Sequence, residues 1–502
     1  MKRPSLVLVL AAASAGCLST GPGPTTDELR SVRRQAAAPP PAGEYSTTTT
    51  AATARGLPRL DGGIGLRQAV NSALAHNLSL RGAFLRRAEA LGLVEEARGE
   101  ALPGLGMTAA ANSDLTERDD TPETYSAGIL FTQPLWRSGI VAAGLRYARL
   151  NAASTDAAIR QQVQGTIAQV TRLYFDVLLQ QHLETVYEEA AGTADRLLKT
   201  AKTRRGAGTV SDYEVLRAEV ELSTANADLL QARNTLRTSR LELLRTLGVD
   251  QSSNLDLTDS LTFTAEEYDG EAAVRAALEH RPDLFQAEAA LRMAEANVAL
   301  VRGQYGPAID AFVRGTYANP DPNVSSRIAG SSGDGNFRDE WGDDWSVGAT
   351  LTLTLFDGFA RRGRIRQADS KVGQAETALR DAEESARVEV IKALLDLRYA
   401  SELYESQKKN IELAREALRM LDSGFRMGRN TQVEVLDAQS ALTAAMGRYY
   451  NSIHSHSVAR MSVRHALGLL GPDASAPVLP EYRLDVDPLH SLPQEVGLRS
   501  AE

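Results

Sequence analysis

Few side chains in this chain are of a type and spacing that could do chemistry. His454 and His456 lie two apart in a helical stretch, so they do not share a face, and the seven histidines show no metal-ligand spacing with carboxylates or with Cys17, the single cysteine. The glycines from Gly330 to Gly335 follow no strand that leads into a helix, which argues against a phosphate-cradling loop. A formal charge of -9 without a dense basic run argues against nucleic acid as a partner. No catalytic constellation forms, so the chain is read as not an enzyme, with no cofactor and no metal.

The remaining candidates are carboxylates beside turns. Glu434 and Asp437 are three apart on one helical face, and Glu214 occupies the position of Glu434 in an earlier, similar segment. Acidic residues at that place also suit a solvated helix N-terminus, where the macrodipole favours negative charge. Near the start of the chain, Lys2 and Arg3, an apolar run from Leu6 to Ala13 and small residues before Cys17 read as a secretory signal too short to span a bilayer. Ser14-Ala15-Gly16-Cys17 is similar to a bacterial lipoprotein box, apart from serine where leucine is usual. Lipidation at Cys17 is expected, and Leu18 after it implies sorting to the outer membrane.

The elements that position these residues begin with a strand. In Trp345–Phe356, Trp345, Val347, Ala349, Leu351, Leu353 and Leu355 fall on one face and Ser346, Gly348, Thr350, Thr352 and Thr354 on the other. About 10 alternating residues flanked by aromatics, with Trp341 and Trp345 in place of a girdle, is the signature of a membrane-spanning strand. Further strands are expected near Leu105–Asn112, Tyr125–Leu135 and Ala308–Tyr317. In the last of these Ile309, Ala311, Val313 and Tyr317 alternate with Asp310, Arg314 and Thr316, a charged face better suited to a wet lumen than to a dry core. Tyr125 and Tyr317 complete the girdle. No segment reaches the roughly 18 apolar residues of a spanning helix, so any span must be made of strands.

The chain is duplicated. Ala69, Val70, His76, Leu80, Arg98 and Pro103 match Ala273, Val274, His280, Leu284, Arg302 and Pro307 at a constant offset of 204. After the strands, Gly128, Leu135, Gly208, Glu214, Val215 and Ala218 match Gly348, Leu355, Gly428, Glu434, Val435 and Ala438 at an offset of 220. The 16 extra residues of the second copy fall between its strands, in the turn-rich segment Asn319–Asp344. Each copy reads helix, strand, loop, strand, long helix, tight turn, helix. From Phe359 to Met427 a proline-free helical period predicts a rod of roughly 100 Å. Val215, Leu222, Leu229, Leu236 and Leu243 recur every seven residues, with Ala218, Ala225 and Ala232 at the second seam position. Seams this apolar require helices from further chains.

The signal, the duplicated strand-and-rod unit, the turn motifs Gly208–Glu219 and Gly428–Gln439, and the Leu355–Gly358 segment together resemble the TolC-like outer membrane efflux family over about residues 60–470. The resemblance implies a fold that is mainly α with a transmembrane β-barrel: a homotrimer in which four strands per chain close a twelve-stranded barrel, above a periplasmic α-helical coiled-coil tunnel. It divides the chain into a signal peptide (1–16), a lipid-anchored flexible linker (17–60), repeat 1 (61–250), an equatorial linker (251–272), repeat 2 (273–470) with a longer extracellular loop (319–344), and a proline-containing tail (471–502).

The function implied is the outer membrane channel of a tripartite efflux or type I secretion system, a passive duct across periplasm and outer membrane. Its partners would be outer membrane lipid, a periplasmic adaptor, and an inner-membrane pump of the RND or ABC type. The competing reading is a non-conducting coiled-coil scaffold bridging outer membrane and periplasm. By the resemblance, Glu434, Asp437 and Glu214 ring the periplasmic entrance, and Gly208, Thr209, Gly428 and Arg429 form the turns to which adaptors dock. Phe425 and Asn430 stand where relatives often carry the tyrosine and arginine that close the entrance.

Overall fold

A computed structural model of the chain describes residues 58–60, 62–112, 124–319 and 341–471. Cys17, the residues around Gly330 and the terminal tail lie outside the described residues. In order, the elements are β1 (Gly62–Ile64), α1 (Leu66–His76), α2 (Leu78–Gly99), β2 (Gly104–Asn112), β3 (Thr124–Trp136), α3 (Ile140–Gly206), α4 (Asp212–Leu247), β4 (Leu255–Leu257), α5 (Gly270–His280), α6 (Pro282–Gly303), β5 (Ala308–Asn319), β6 (Gly342–Thr352), α7 (Ala360–Arg426) and α8 (Gln432–Ala466). Helices α1 and α5 both have 11 residues, α2 and α6 both 22, and α3 and α7 both 67. The rod expected over Phe359–Met427 is α7, and at 1.5 Å per residue it is about 100 Å long.

One compact unit takes in residues 87–155 and 287–378 and holds a four-stranded sheet in the order β2-β3-β5-β6, antiparallel throughout. Its register puts Val347, Val313, Phe131 and Leu105 directly opposite one another, and likewise Trp345, Gly315, Ile129 and Met107. Residues opposite each other share a face, so the apolar positions of all four strands line up on one side. The alternation continues to Phe356, but β6 ends at Thr352. Its partner β5 starts at Ala308, opposite Thr352, and the preceding Pro307 has no N–H to extend the ladder.

Among the described residues, the other unit takes in the helical remainder: 58–60, 62–86, 156–286 and 379–471. Two parallel three-residue strands, β1 and β4, join the start of the first copy to the link before the second. Tyr174 on α3 is fully buried here and donates to Ile64 O or Asp259 Oδ2, at 3.0 and 2.9 Å, while Asp259 Oδ2 also accepts from Leu66 N at 2.8 Å. The same carboxylate therefore anchors α3 and the first turn of α1. Around it lies the largest apolar cluster, including Val170, Leu173, Val177, Leu243 and Leu247. The heptad seam on α4 is only partly covered: Val215, Leu236 and Leu243 are buried, whereas Leu222 and Leu229 are half-exposed.

The breaks between α1 and α2, and between α5 and α6, are fixed by two unlike residues at matching positions. Asn77 Oδ1 accepts from Ser79 N and Leu80 N, at 2.9 and 3.2 Å, capping α2, and its Nδ2 donates to Thr246 O at 3.1 Å. In the second copy Arg281 donates to Ala466 O at 3.2 Å and pairs with Asp283 and Glu389, each at 2.7 Å. Thr246 and Ala466 are themselves equivalent at the offset of 220.

Candidate functional site

At each hairpin tip the first helix ends in the same way. Gly208 and Gly428 have φ of 74° and 75°, the left-handed conformation that glycine reaches without a Cβ clash. Gly208 N donates to Arg205 O and Thr209 N to Arg204 O, at 2.9 and 3.0 Å; Gly428 N donates to Phe425 O and Arg429 N to Gly424 O, at 3.1 and 2.8 Å. Both are Schellman closures that satisfy the last carbonyls of the rods. Two residues on, the returning helices are capped: Ser211 Oγ accepts from Glu214 N at 3.4 Å, and Thr431 Oγ1 from Glu434 N at 3.3 Å. The capping chemistry fixes each turn at a short, set length.

The three carboxylates expected at the entrance have separate local roles. Glu434 is exposed, and its Oε2 accepts from Thr431 N at 2.8 Å, completing a capping box. Glu214 is half-buried at the equivalent place on α4. Asp437 is 67% exposed and accepts from Arg217 Nη2 at 3.0 Å. The structure thus brings Asp437 against an arginine that sequence reasoning overlooked. The clue was available, because Arg217 and Asp437 occupy the same position in GTVSDYEVLRAE and GRNTQVEVLDAQ. One turn further on, Ser440 Oγ donates to Glu221 Oε1 at 3.1 Å.

Phe425 is buried, with the Arg204 guanidinium 4.1 Å from its ring centroid. Asn430 donates weakly to Leu421 O at 3.4 Å within its own hairpin. Gln432, buried at the start of α8, donates to Leu197 O on α3 at 3.4 Å. At this level the two hairpins of one chain are therefore joined by a cation–π contact, a side-chain bond to backbone and the Arg217–Asp437 ion pair.

On the sheet, the face carrying Trp345, Val347 and Leu351 is open, and Val347 is 82% exposed. Leu105 and Met107 on β2 and Ile129 on β3 are exposed beside them. Large apolar groups standing out from a sheet in this number require an apolar surround. Trp341 stacks between Tyr317 and Tyr125, with ring centroids 5.0 and 6.5 Å away. The Trp345 indole lies over Gly315, where any Cβ would sit 2.8 Å from the ring. The opposite face carries charge: Asp310 pairs with Arg137 at 2.8 Å, and Arg314 lies 6.0 Å from the Phe312 ring. Among the described residues no His, Cys, Asp and Glu cluster could hold a metal, and no helix is long and apolar enough to cross a membrane.

Comparison with known proteins agrees with this architecture. The chain is 29% identical over 430 residues to protein CyaE of Bordetella pertussis, covering 84% of this chain and 87% of that protein. It is 27% identical to outer membrane protein TolC of Vibrio cholerae, covering 81% and 91%. CusC, solved in a study of its transmembrane channel formation, superposes with a TM-score of 0.69 at 20% identity, covering 82% of this chain and 93% of CusC. The profile of one family, Outer membrane efflux protein, matches residues 69–249 and 273–469, the two copies in turn, and the chain belongs to that family.

Proposed function

We propose that three copies of this chain close a twelve-stranded barrel in the outer membrane and extend their helices into the periplasm as a passive efflux duct. The observation that carries this reading is the four-stranded sheet with one exposed apolar face. Among the described residues β2 and β6 each pair on one side only. Four strands cannot close, since the smallest barrels need about eight. Up-and-down order makes β6 of one copy antiparallel to β2 of the next, so three sheets join edge to edge and leave no free edge. The charged face with Asp310 and Arg314 then lines water, which favours a duct over a scaffold.

In this assembly Tyr125, Tyr317, Trp341 and Trp345 belong to the membrane girdle. The turns at Gly208, Thr209, Gly428 and Arg429 are the docking points for a periplasmic adaptor, which couples the duct to an RND or ABC pump in the inner membrane. Glu434, Asp437 and Glu214 stand around the entrance, repeated by the three-fold axis. Cys17 is the lipidated N-terminus after removal of residues 1–16, and 17–60 is the tether. Mass spectrometry of the mature N-terminus tests that anchor, and an unmodified start elsewhere rules it out while leaving the barrel intact. The duct itself is tested by planar-bilayer conductance of the purified oligomer. A trimer that never conducts would be a scaffold.

A further inference from the structure

The link from β6 into α7 carries two features that the duplicated fold does not require. The first is charge. Arg361, Arg362, Arg364 and Arg366 fill the first two turns of α7, which has no acidic residue in its first turn. This is the positive end of the helix dipole, where arginine is disfavoured unless an anion is at hand. The first copy forms an equally long helix with Val141, Ala142 and Gly144 in place of Arg361, Arg362 and Arg364, and only Arg366 has a basic counterpart there, Arg146, so helix formation does not call for the cluster. Arg361 lies 4.5 Å from the Tyr305 ring centroid, and Arg364 donates to Tyr305 OH at 3.1 Å. Arg362 and Arg366 are exposed, one helical turn apart on one side of α7, and have no ion pair among the described residues. The nearest carboxylates in sequence are engaged: Asp357 accepts from Arg361 N at 2.6 Å, and Asp369 pairs with Arg302 at 3.2 Å.

The second feature is apolar. Leu355, Phe356 and Phe359 are 87%, 74% and 72% exposed, directly beyond the apolar face of β6. Phe359 has φ of 67°, at the position filled in the first copy by Gly139, with φ of 81°. A phenylalanine held in that conformation contributes nothing to the core, and its ring meets that of Phe356 edge-on at 5.6 Å. Aromatics next to arginines at the end of an apolar band match a membrane interface, with rings at the acyl boundary and guanidiniums among phosphates.

We propose that the β6–α7 link is a binding surface for anionic phospholipid headgroups of the periplasmic leaflet, with Phe356 and Phe359 inserted beneath the headgroups and Arg362 and Arg366 bridging a phosphate. The surface continues the lipid-facing side of the sheet, and its charge is complementary to an anionic headgroup. The inference rests on the outer membrane duct reading above.

The test is native mass spectrometry of the full-length oligomer in detergent, with phosphatidylglycerol or phosphatidylcholine added. Each interfacial arginine is expected to give roughly a five-fold preference for the anionic lipid, so the pair gives about thirty-fold. R362Q/R366Q should lose that preference, and R362K/R366K, which keeps the charge, should retain most of it. An unchanged preference in R362Q/R366Q overturns the proposal. Displacement of phosphatidylglycerol by inorganic phosphate would mark a free-anion site and also overturn it. So would loss of the oligomer in R362Q/R366Q with lipid retention per chain unaltered, which would make the patch a contact between copies. Conductance of the same preparation is read separately: a non-conducting wild type sinks the duct, whereas lost lipid preference sinks only this surface.

Discussion

Arg217 and Asp437 are equivalent residues of the two halves of this chain, and they are bonded to each other, Nη2 to Oδ1, at 3.0 Å. The two hairpins thus present the same level of their second helices to one another. A duplicated chain usually places equivalent residues in equivalent surroundings. Here divergence of one site into a cation and an anion has turned an internal repeat into an internal contact. Both side chains are well exposed, so the pair stabilises the chain by no more than about 1 kcal/mol. Its larger consequence is electrostatic, because Arg217 offsets the charge of Asp437 and, among the described residues, leaves Glu434 at that turn without an ion pair.

The first prediction sets opposite signs for two substitutions. If these groups face the axis, Glu434→Gln with Asp437→Asn lowers the cation preference of the duct, and Arg217→Gln raises it. Both are read as shifts of reversal potential in a salt gradient. Groups on the outer surface would be screened over roughly 10 Å at 0.1 M salt and would leave the potential unchanged in every variant.

A second prediction concerns the turn between α7 and α8. Gly428→Ala meets no atom within 4 Å of the new Cβ, so its cost is conformational alone, about 1 kcal/mol for an L-residue held at φ of 75°. Hydrogen exchange should accelerate around residues 424–434 and nowhere else, with conductance unaltered. Acceleration spreading along α7 would mean that the closure supports the whole rod.

Much of the fold was legible because it is periodic. The alternation of Trp345 to Leu351 and the two constant offsets each report a repeat that the backbone must honour, and β6, α3 and α7 follow them. The end of β6 was not legible from its own residues, since it is set by Pro307, just before the partner strand β5 and 45 positions earlier. Nor was the short β1–β4 pairing, which joins three-residue strands far apart in sequence. At the hairpin tips the capping box of Thr431 and Glu434 could be read locally. The Arg217–Asp437 and Arg204–Phe425 contacts depend on how two hairpins pack, and a single helix face carries no record of its neighbour.

The third prediction is an acid-sensitive tie in the second copy. Burial pushes the Asp283 carboxyl up, but the bond to Arg281 and its charge outweigh this and hold it below the ordinary carboxylate value. A depressed folded pKa stabilises the native chain above the unfolded value, near 4, and that contribution is lost as pH falls below it. The Arg281 side chain is only 12% exposed, so Arg281→Gln leaves Asp283 and Glu389 without their cation and should destabilise by about 2–3 kcal/mol. The thermal midpoint of the variant should drop at pH 7 and change less than that of the wild type on acidification below about pH 4. Equal acid responses would show that Asp283 draws its shift from elsewhere.

The last prediction concerns His456, which is fully buried on α8 with neither ring nitrogen hydrogen-bonded among the described residues. Its ring lies 4.3 Å from that of Phe263, which in turn stacks on Tyr404 at 4.0 Å. Burial and then the Arg460 charge push its pKa down, and the Glu266 carboxylate only partly opposes them. For a histidine with a lowered folded pKa, the unfolded chain takes up the proton first. Stability is therefore complete above the unfolded value, near 6.5, and falls as pH drops below it, by up to about 1.4 kcal/mol per pH unit. His182 and His465, both also pushed down by burial, add to the same trend. His456→Phe keeps an aromatic ring against Phe263 and removes two unpaired polar atoms. It should raise the thermal midpoint at neutral pH and flatten, without abolishing, its decline toward about pH 5. A variant whose midpoint runs parallel to the wild type across that range would show that His456 takes up its proton equally in the folded and unfolded chain.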